Sequence, residues 1–159
     1  GVTYDPNENA PETDMVTLTV MDGGGNSDTV NFIFSQSEQG PLTLIGTEEK
    51  DVIFATGNDD TLTGGAGADQ FVFAPEYDSS SADTITDFAT GEDHIDLRLF
   101  SEFVNSDNIG DWLDSPNVSQ VNSTDVLITL GDDTITLKNV ALANLSSNDF
   151  ILHPGGGGN

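Results

Sequence analysis

The chain has 159 residues, 28 Asp plus Glu against 3 Lys plus Arg, a formal net charge of −25 and no cysteine. So acidic a chain offers no basic footprint for nucleic acid or an anionic membrane surface, and the missing cysteines exclude a disulfide framework and thiolate metal sites. With 35% hydrophobic residues, nine of all residues being Phe, it can bury a core, so the disorder that usually accompanies such charge is not expected.

In chain order, residues 1–37 predict β structure. An apolar run from Met15 to Val20 and another from Thr29 to Phe34 flank Asp22-Gly23-Gly24-Gly25-Asn26, a hairpin turn, with Val2 to Tyr4 as a third strand. The start, Gly1-Val2-Thr3-Tyr4, has no basic and apolar leader, so the segment reads as cut from a longer chain. Residues 38–45 have linker composition around Gly40-Pro41.

A repeat of nine residues follows. Gly46 to Phe54, Ala55 to Thr63 and Gly64 to Val72 align so that Asp51, Asp60 and Asp69 share the sixth place and Ile53, Leu62 and Phe71 the eighth. Asp83 to Phe88 and Gly91 to Leu97 reuse the Asp-x-apolar unit at wider spacing, which extends this region over 46–97. Residues 98–114 place Phe100, Phe103, Val104, Ile109, Trp112 and Leu113 at helical spacing, the buried face of one or two short helices. Val118 to Val121, Val126 to Leu130 and Thr134 to Leu137 predict strands, the last two a hairpin turning at Gly131-Asp132-Asp133. A short turn or helix then leads to Asp149-Phe150-Ile151-Leu152, so 98–152 form a cap, and 153–159 are a Gly-rich tail expected to be disordered. No apolar stretch approaches ~20 residues, so no membrane insertion is expected.

Nine residues suit a loop of six and a strand of three. Gly in the loop allows tight turning, the eighth residue points into a thin core, and the Asp returns toward the loop. Two units make one turn of a right-handed parallel roll, which stacks Asp51 on Asp69 and sends Asp60 to the opposite edge. Two carboxylates ~5 Å apart at an effective dielectric of ~20 repel by roughly 3 kcal/mol, and three basic residues cannot answer them. Carboxylates and carbonyls without His or Cys describe a hard-cation site, and six or seven flexible oxygens favour calcium over magnesium.

Gly64 to Val72 fits the GGxGxDxUx nonapeptide in every defined place and resembles the RTX (repeats-in-toxin) proteins. The segment from Asp83 to Leu97 is similar to the part that closes the roll in serralysin-type proteases and RTX adhesins. The whole of 44–152 resembles the C-terminal region of giant adhesins exported by type I secretion, and 1–34 resembles the end of a bacterial Ig-like extender module. The implied fold is mainly β: a right-handed parallel β-roll of calcium-binding nonapeptides, with an N-terminal Ig-like hairpin and a β-rich C-terminal cap with short helices.

By that resemblance, a site between loops n and n+2 takes the second and fourth carbonyls and the Asp of the first loop, and the first and third carbonyls and the Asp of the later one. This implies Thr47, Glu49 and Asp51 with Gly64, Ala66 and Asp69. On the other edge it implies Thr56, Asn58 and Asp60, with Asp83 and Asp93 as partners from the closing segment; Asp78 keeps the phase but lacks the apolar residue two places on. The sequence departs from the pattern at Glu49 and Asn58, where Gly is expected. Asn tolerates the left-handed region better than Glu, so the first loop is expected to be strained.

The resemblance implies a non-catalytic, monomeric calcium-binding module of a secreted or cell-surface bacterial adhesin. It would fold on meeting calcium after passing a type I secretion ABC transporter, with the export signal in the stretch holding Asp149 to Leu152. The alternatives are the C-terminal domain of a secreted RTX enzyme, a protease or lipase, and a calcium-dependent ligand binder. His94 and His153 lack a zinc-site context, Trp112 reads as a core anchor, and Asp22 as a turn residue.

Overall fold

The computed structural model describes the backbone of residues 2–5, and residues 13–35, 40–75 and 80–155. Strands β1 (Val2–Asp5), β2 (Asp14–Met21) and β3 (Ser27–Phe34) form an antiparallel meander in which Val16 lies opposite Phe32. The β2–β3 turn is closed by Asp22: its Oδ1 accepts from the Gly24 and Asn26 N–H groups at 2.8 and 2.9 Å, and its Oδ2 from Asn26 Nδ2 at 2.8 Å. Both oxygens are thus occupied within the turn.

Six short strands follow: β4 (Thr43–Ile45), β5 (Lys50–Phe54), β6 (Thr61–Thr63), β7 (Gln70–Val72), β8 (Ala82–Ile85) and β9 (His94–Asp96). Each nonapeptide supplies one strand, so consecutive strands fall in opposite sheets and equivalent residues of one sheet lie 18 apart, as Asp51 and Asp69 do. After the roll come a 3-10 turn (Arg98–Phe100), helix α1 (Ile109–Leu113), strands β10 (Val118–Val121), β11 (Asp125–Leu130) and β12 (Asp133–Leu137), two more 3-10 turns (Leu142–Asn144 and Ser147–Asp149) and β13 (Phe150–Ile151).

One sheet runs β1-β2-β3-β5-β7-β9-β13 and the other β10-β11-β12-β8-β6-β4. Pairing is parallel from β3 through β13 and from β4 through β12, a parallel β-roll with antiparallel strands at its ends. Register stacks Ile33, Ile53, Phe71, Ile95 and Phe150 in one sheet, and Leu44, Leu62, Ile85 and Leu137 in the other. Of these, Leu44, Ile53, Leu62, Phe71, Ile85, Ile95 and Leu137 are fully buried. Two thin sheets have only this interior, where each such side chain contributes about 1.5–3 kcal/mol.

In its elements and packing the structure differs from the sequence expectations at four places. Thr43–Ile45, given to a linker by its composition, is β4, because Leu44 keeps the phase of the eighth position and fills the first layer of the core. The N-terminal hairpin does not stand apart from the roll: β3 pairs in parallel with β5 and joins the hairpin to the same sheet. Phe103, expected in the buried face of 98–114, is 41% exposed, since the segment is a 3-10 turn and a separate five-residue helix; Phe100, Val104 and Trp112 are the buried members. The tail is held as far as Gly155, with the Ser106 N–H donating to the His153 carbonyl and the Gly155 N–H to Ser106 Oγ.

Trp112 anchors α1 with an edge-to-face contact on Phe150, the ring centroids 5.7 Å apart.

Candidate metal centre

Nine aspartates are buried among the described residues: Asp51, Asp60, Asp69, Asp83, Asp93, Asp96, Asp125, Asp133 and Asp149. Only two face a basic side chain among the described residues, Asp96 with Arg98 at 2.6 Å and Asp125 with Lys138 at 2.8 Å, both cations belonging to the cap or its approach. Buried anions without a countercharge are costly, so the remaining seven need other partners.

Backbone amides provide them, in a regular ladder. Asp69 Oδ1 accepts from the Asp51 N–H at 2.9 Å, and Asp93 Oδ1 from the Asp69 N–H at 3.0 Å. On the other edge Asp60 Oδ1 accepts from the Leu42 N–H, Asp83 Oδ1 from the Asp60 N–H and Asp133 Oδ1 from the Ser81 N–H, each at 2.9 Å. Each carboxylate thus ties one coil to the coil before it.

The second carboxylate oxygen separates the loops. Asp51 Oδ2 accepts from the Thr47 N–H at 2.6 Å, Asp60 Oδ2 from the Thr56 N–H at 2.7 Å, and Asp93 Oδ2 from the Ala89 N–H at 2.8 Å, four residues back in each case. In the third loop that place is held by Gly65, whose N–H donates instead to Asp87 Oδ2 at 2.8 Å while the Gly64 N–H donates to Asp87 Oδ1 at 2.9 Å. Asp69 Oδ2 is left buried with no partner.

Glycine at the third loop is a steric requirement. Gly65 and Gly67 have φ of 95° and 112°. A Cβ at Gly65 would collide with the Thr47 carbonyl oxygen, and one at Gly67 with that of Glu49; a Cβ at Gly64 would strike Asp69 Oδ2, and one at Gly46 the Gly64 carbonyl oxygen and Asp51 Oδ2. Oxygens of Thr47, Glu49, Asp51, Gly64 and Asp69 therefore crowd one edge between the first and third loops. Ala66 lies there too, its N–H donating to the Thr47 carbonyl at 3.1 Å. The strain expected at Glu49 is absent: neither Glu49 nor Asn58 has positive φ, because Thr47 and Thr56 close their loops by bonding Asp51 and Asp60.

On the opposite edge Thr56, Asn58 and Asp60 share the second loop, and Asp83 stacks on Asp60. Asp93 does not join them. Strands alternate between sheets, so β9 falls beside β7 and Asp93 bonds the Asp69 N–H on the first edge. Asp78 lies outside the described residues.

Burial sets the electrostatics. Desolvation, reinforced by the charges of Asp93, Asp51 and Asp87, pushes Asp69 up to about 6 against the lowering pull of the Asp51 N–H. Desolvation, with Asp60 and Asp59 nearby, pushes Asp83 up to about 7, and desolvation also raises Asp93. By contrast the hydrogen bond from Lys138 holds Asp125 down to about 2. Among the described residues, Asp69 Oδ2 is the buried carboxylate oxygen that the protein alone does not satisfy. An orphaned buried carboxylate oxygen within a set of oxygens fits a hard cation. No group of three or more His, Cys, Asp or Glu able to hold a metal occurs among the described residues, so main-chain and hydroxyl oxygens must complete any such site.

Two aspartates with defined roles escaped the sequence reading. Asp87 stands within the closing segment with no large apolar residue two places on, and its grip on Gly64 and Gly65 follows from how that segment folds back. Asp133 carries the Asp-x-apolar signal, with Ile135 two places on, but opens β12, 50 residues past Asp83.

A solution structure of a subunit of the Azotobacter vinelandii mannuronan C5-epimerase is similar in fold, with 21% identity, 72% of this chain and 80% of that chain covered, and a TM-score of 0.52. The extracellular lipase of Serratia marcescens aligns at 15% identity over 95% of this chain and 30% of the lipase, with a TM-score of 0.46. No curated protein matches the chain. Residues 43–152 match the family model described as Peptidase M10 serralysin C terminal. These residues span the parallel roll and its cap, and the chain therefore belongs to the serralysin C-terminal family of RTX β-rolls, whose members bind calcium.

Proposed function

We propose that this chain is a non-catalytic module that folds on binding calcium outside the cell. The observation that carries this reading is Asp69 Oδ2, a buried carboxylate oxygen without a partner in a chain of net charge −25. Calcium supplies the positive charge that the roll lacks. Thr47, Glu49 and Asp51 with Gly64, Ala66 and Asp69 hold it on one edge, and Thr56, Asn58 and Asp60 with Asp83 on the other; Asp93 continues the first edge above Asp69. Where calcium is scarce the aspartates repel and the chain stays open enough to thread a type I transporter. At about 10⁻⁴–10⁻³ M, the range of extracellular modules, binding and folding coincide. Asp149 to Leu152, the export signal by resemblance, would be read before β13 docks on β9.

Circular dichroism of the monomer in EDTA and then with added calcium tests this. Strand signal should appear only on calcium addition; a chain fully folded in EDTA overturns the coupling. Two parent proteins fit the module. The hairpin continuous with the roll favours a surface adhesin whose extender repeats run into it, whereas the matched family description favours the end of a secreted enzyme. The coding sequence upstream of Gly1 decides: repeated Ig-like modules support the first, a catalytic motif the second.

A further inference from the structure

The aspartate column of the first edge ends in a different residue. β3 pairs in parallel with β5 so that Asn31 stands opposite Asp51 and Ile33 opposite Ile53, which gives Asn31 the place that Asp51, Asp69 and Asp93 hold in the coils after it. Asn31 is 5% exposed, and with Ser81 it is one of the two buried polar side chains, among the described residues, that are not aspartates. An amide carries no charge there, and unlike a carboxylate it donates.

The donation runs one way, toward Asp51. Thr17 Oγ1 donates to Asn31 Oδ1 at 2.8 Å, which fixes the orientation of the amide and aims its Nδ2 at Thr47 Oγ1, 3.1 Å away. The Glu49 N–H donates to the same Thr47 oxygen, also at 3.1 Å. With two donors on that oxygen, its single proton is left for Asp51, whose Oδ1 and Oδ2 lie 3.2 and 3.1 Å away. Thr17, Asn31, Thr47 and Asp51 thus form a chain of aligned dipoles that starts in β2, outside the roll, and ends on a buried carboxylate.

The second loop carries an amide of its own. Thr56 Oγ1 donates to Asp60 Oδ2 at 2.7 Å, and Asn58 Nδ2 lies 3.5 Å from Thr56 Oγ1. In the first loop Glu49 holds the place of Asn58, and an ionised carboxylate has no proton to give. The amide absent from that loop comes instead from the hairpin, through Asn31.

We propose that Asn31 is a positioning residue for the first edge: it holds the Thr47 hydroxyl on Asp51, so that calcium binding between the first and third loops depends on the docked hairpin. This rests on the calcium reading above. The calcium midpoint of folding, followed by circular dichroism on the full chain, tests it in two double-mutant cycles, which pair Asn31→Leu with Asp51→Asn and with Asp60→Asn. Asn31→Leu alone should raise the midpoint about threefold, a loss of about tenfold at one ion being shared between two edges that fill together. In the Asp51→Asn background it should raise the midpoint no further, because the charge that the hydroxyl serves is gone. In the Asp60→Asn background, on the opposite edge, the full factor should persist.

A merely structural hold on the hairpin would move the midpoint by one factor in all three backgrounds, and that result overturns the proposal. Thr17→Val, which releases the Asn31 amide without touching the roll, decides the matter if Asn31→Leu does not fold. It should raise the midpoint in wild type and in Asp60→Asn but not in Asp51→Asn; an equal rise in all three, or none in any, overturns the proposal. A wild type that does not respond to calcium overturns the calcium reading as well, which separates the two failures.

Discussion

Replacing Asp83 by Asn should make the calcium-free protein more stable, not less. Asp83 is 3% exposed, and in the fold its carboxyl is pushed up to about 7, chiefly by desolvation. A raised pKa means that the protonated form carries the stability: it is fully present below about pH 4, and is lost as the pH climbs through about 7. Keeping that carboxyl charged at pH 8, when burial has raised its pKa to about 7, costs the metal-free fold about 4 kcal/mol. Asn keeps an oxygen for the Asp60 N–H, now 2.9 Å from Asp83 Oδ1, and carries no charge at any pH. Folding of the calcium-free chain in EDTA, driven by the osmolyte trimethylamine N-oxide, should therefore favour Asp83→Asn by up to about 4 kcal/mol at pH 8 and by under about 1 kcal/mol at pH 4. In calcium the order reverses, with the calcium midpoint of folding raised roughly tenfold or more, about 1.4 kcal/mol per decade. A variant less stable than wild type in EDTA at pH 8 would refute the reasoning, because the carboxylate would then be a net stabiliser without any cation.

Gly65→Ala places a Cβ against the Thr47 carbonyl at φ 95° and should lose about 2 kcal/mol or more in calcium, whereas Gly91→Ala, at φ 83° with open space, should lose about 1 kcal/mol; urea midpoints compare them. Leu62→Ala empties one layer of the roll and should cost about 3–4 kcal/mol by the same assay. Lys138→Met removes the partner that holds Asp125 down to about 2. A lowered pKa gives stability above about pH 4 that fades as pH falls through about 2, so Tm should drop at pH 7 and converge with wild type near pH 2.

The roll was legible because its period is enforced twice, by an apolar residue that must enter the core and an aspartate that must return to the loop. Ile53, Leu62 and Phe71 announce the strands, and Asp51, Asp60 and Asp69 announce which edge each faces. Leu44 carries the apolar half of that signal alone, with Leu42 where the aspartate belongs, so β4 is disguised as linker. The edge of Asp93 depends on a parity of strands that spacing does not reveal once the period stretches between β7 and β9. The hold of Asp87 on Gly64 and Gly65 crosses 22 or 23 residues, and no local pattern encodes such a reach.

Among the described residues the two sheets end unequally at their N-terminal side: one continues past β5 through β3, β2 and β1, while the other stops at β4, which pairs only with β6. A stack with one blunt end and one ragged end does not unravel symmetrically. In that second sheet a fluctuation that begins at the cap must undo β10, β11 and β12 before it reaches the roll, whereas Thr43–Ile45 can peel away by breaking a single three-residue ladder. Thinning of the molecule under load, or its first exchange with heavy water, should therefore start beside residue 43 and travel coil by coil toward the cap.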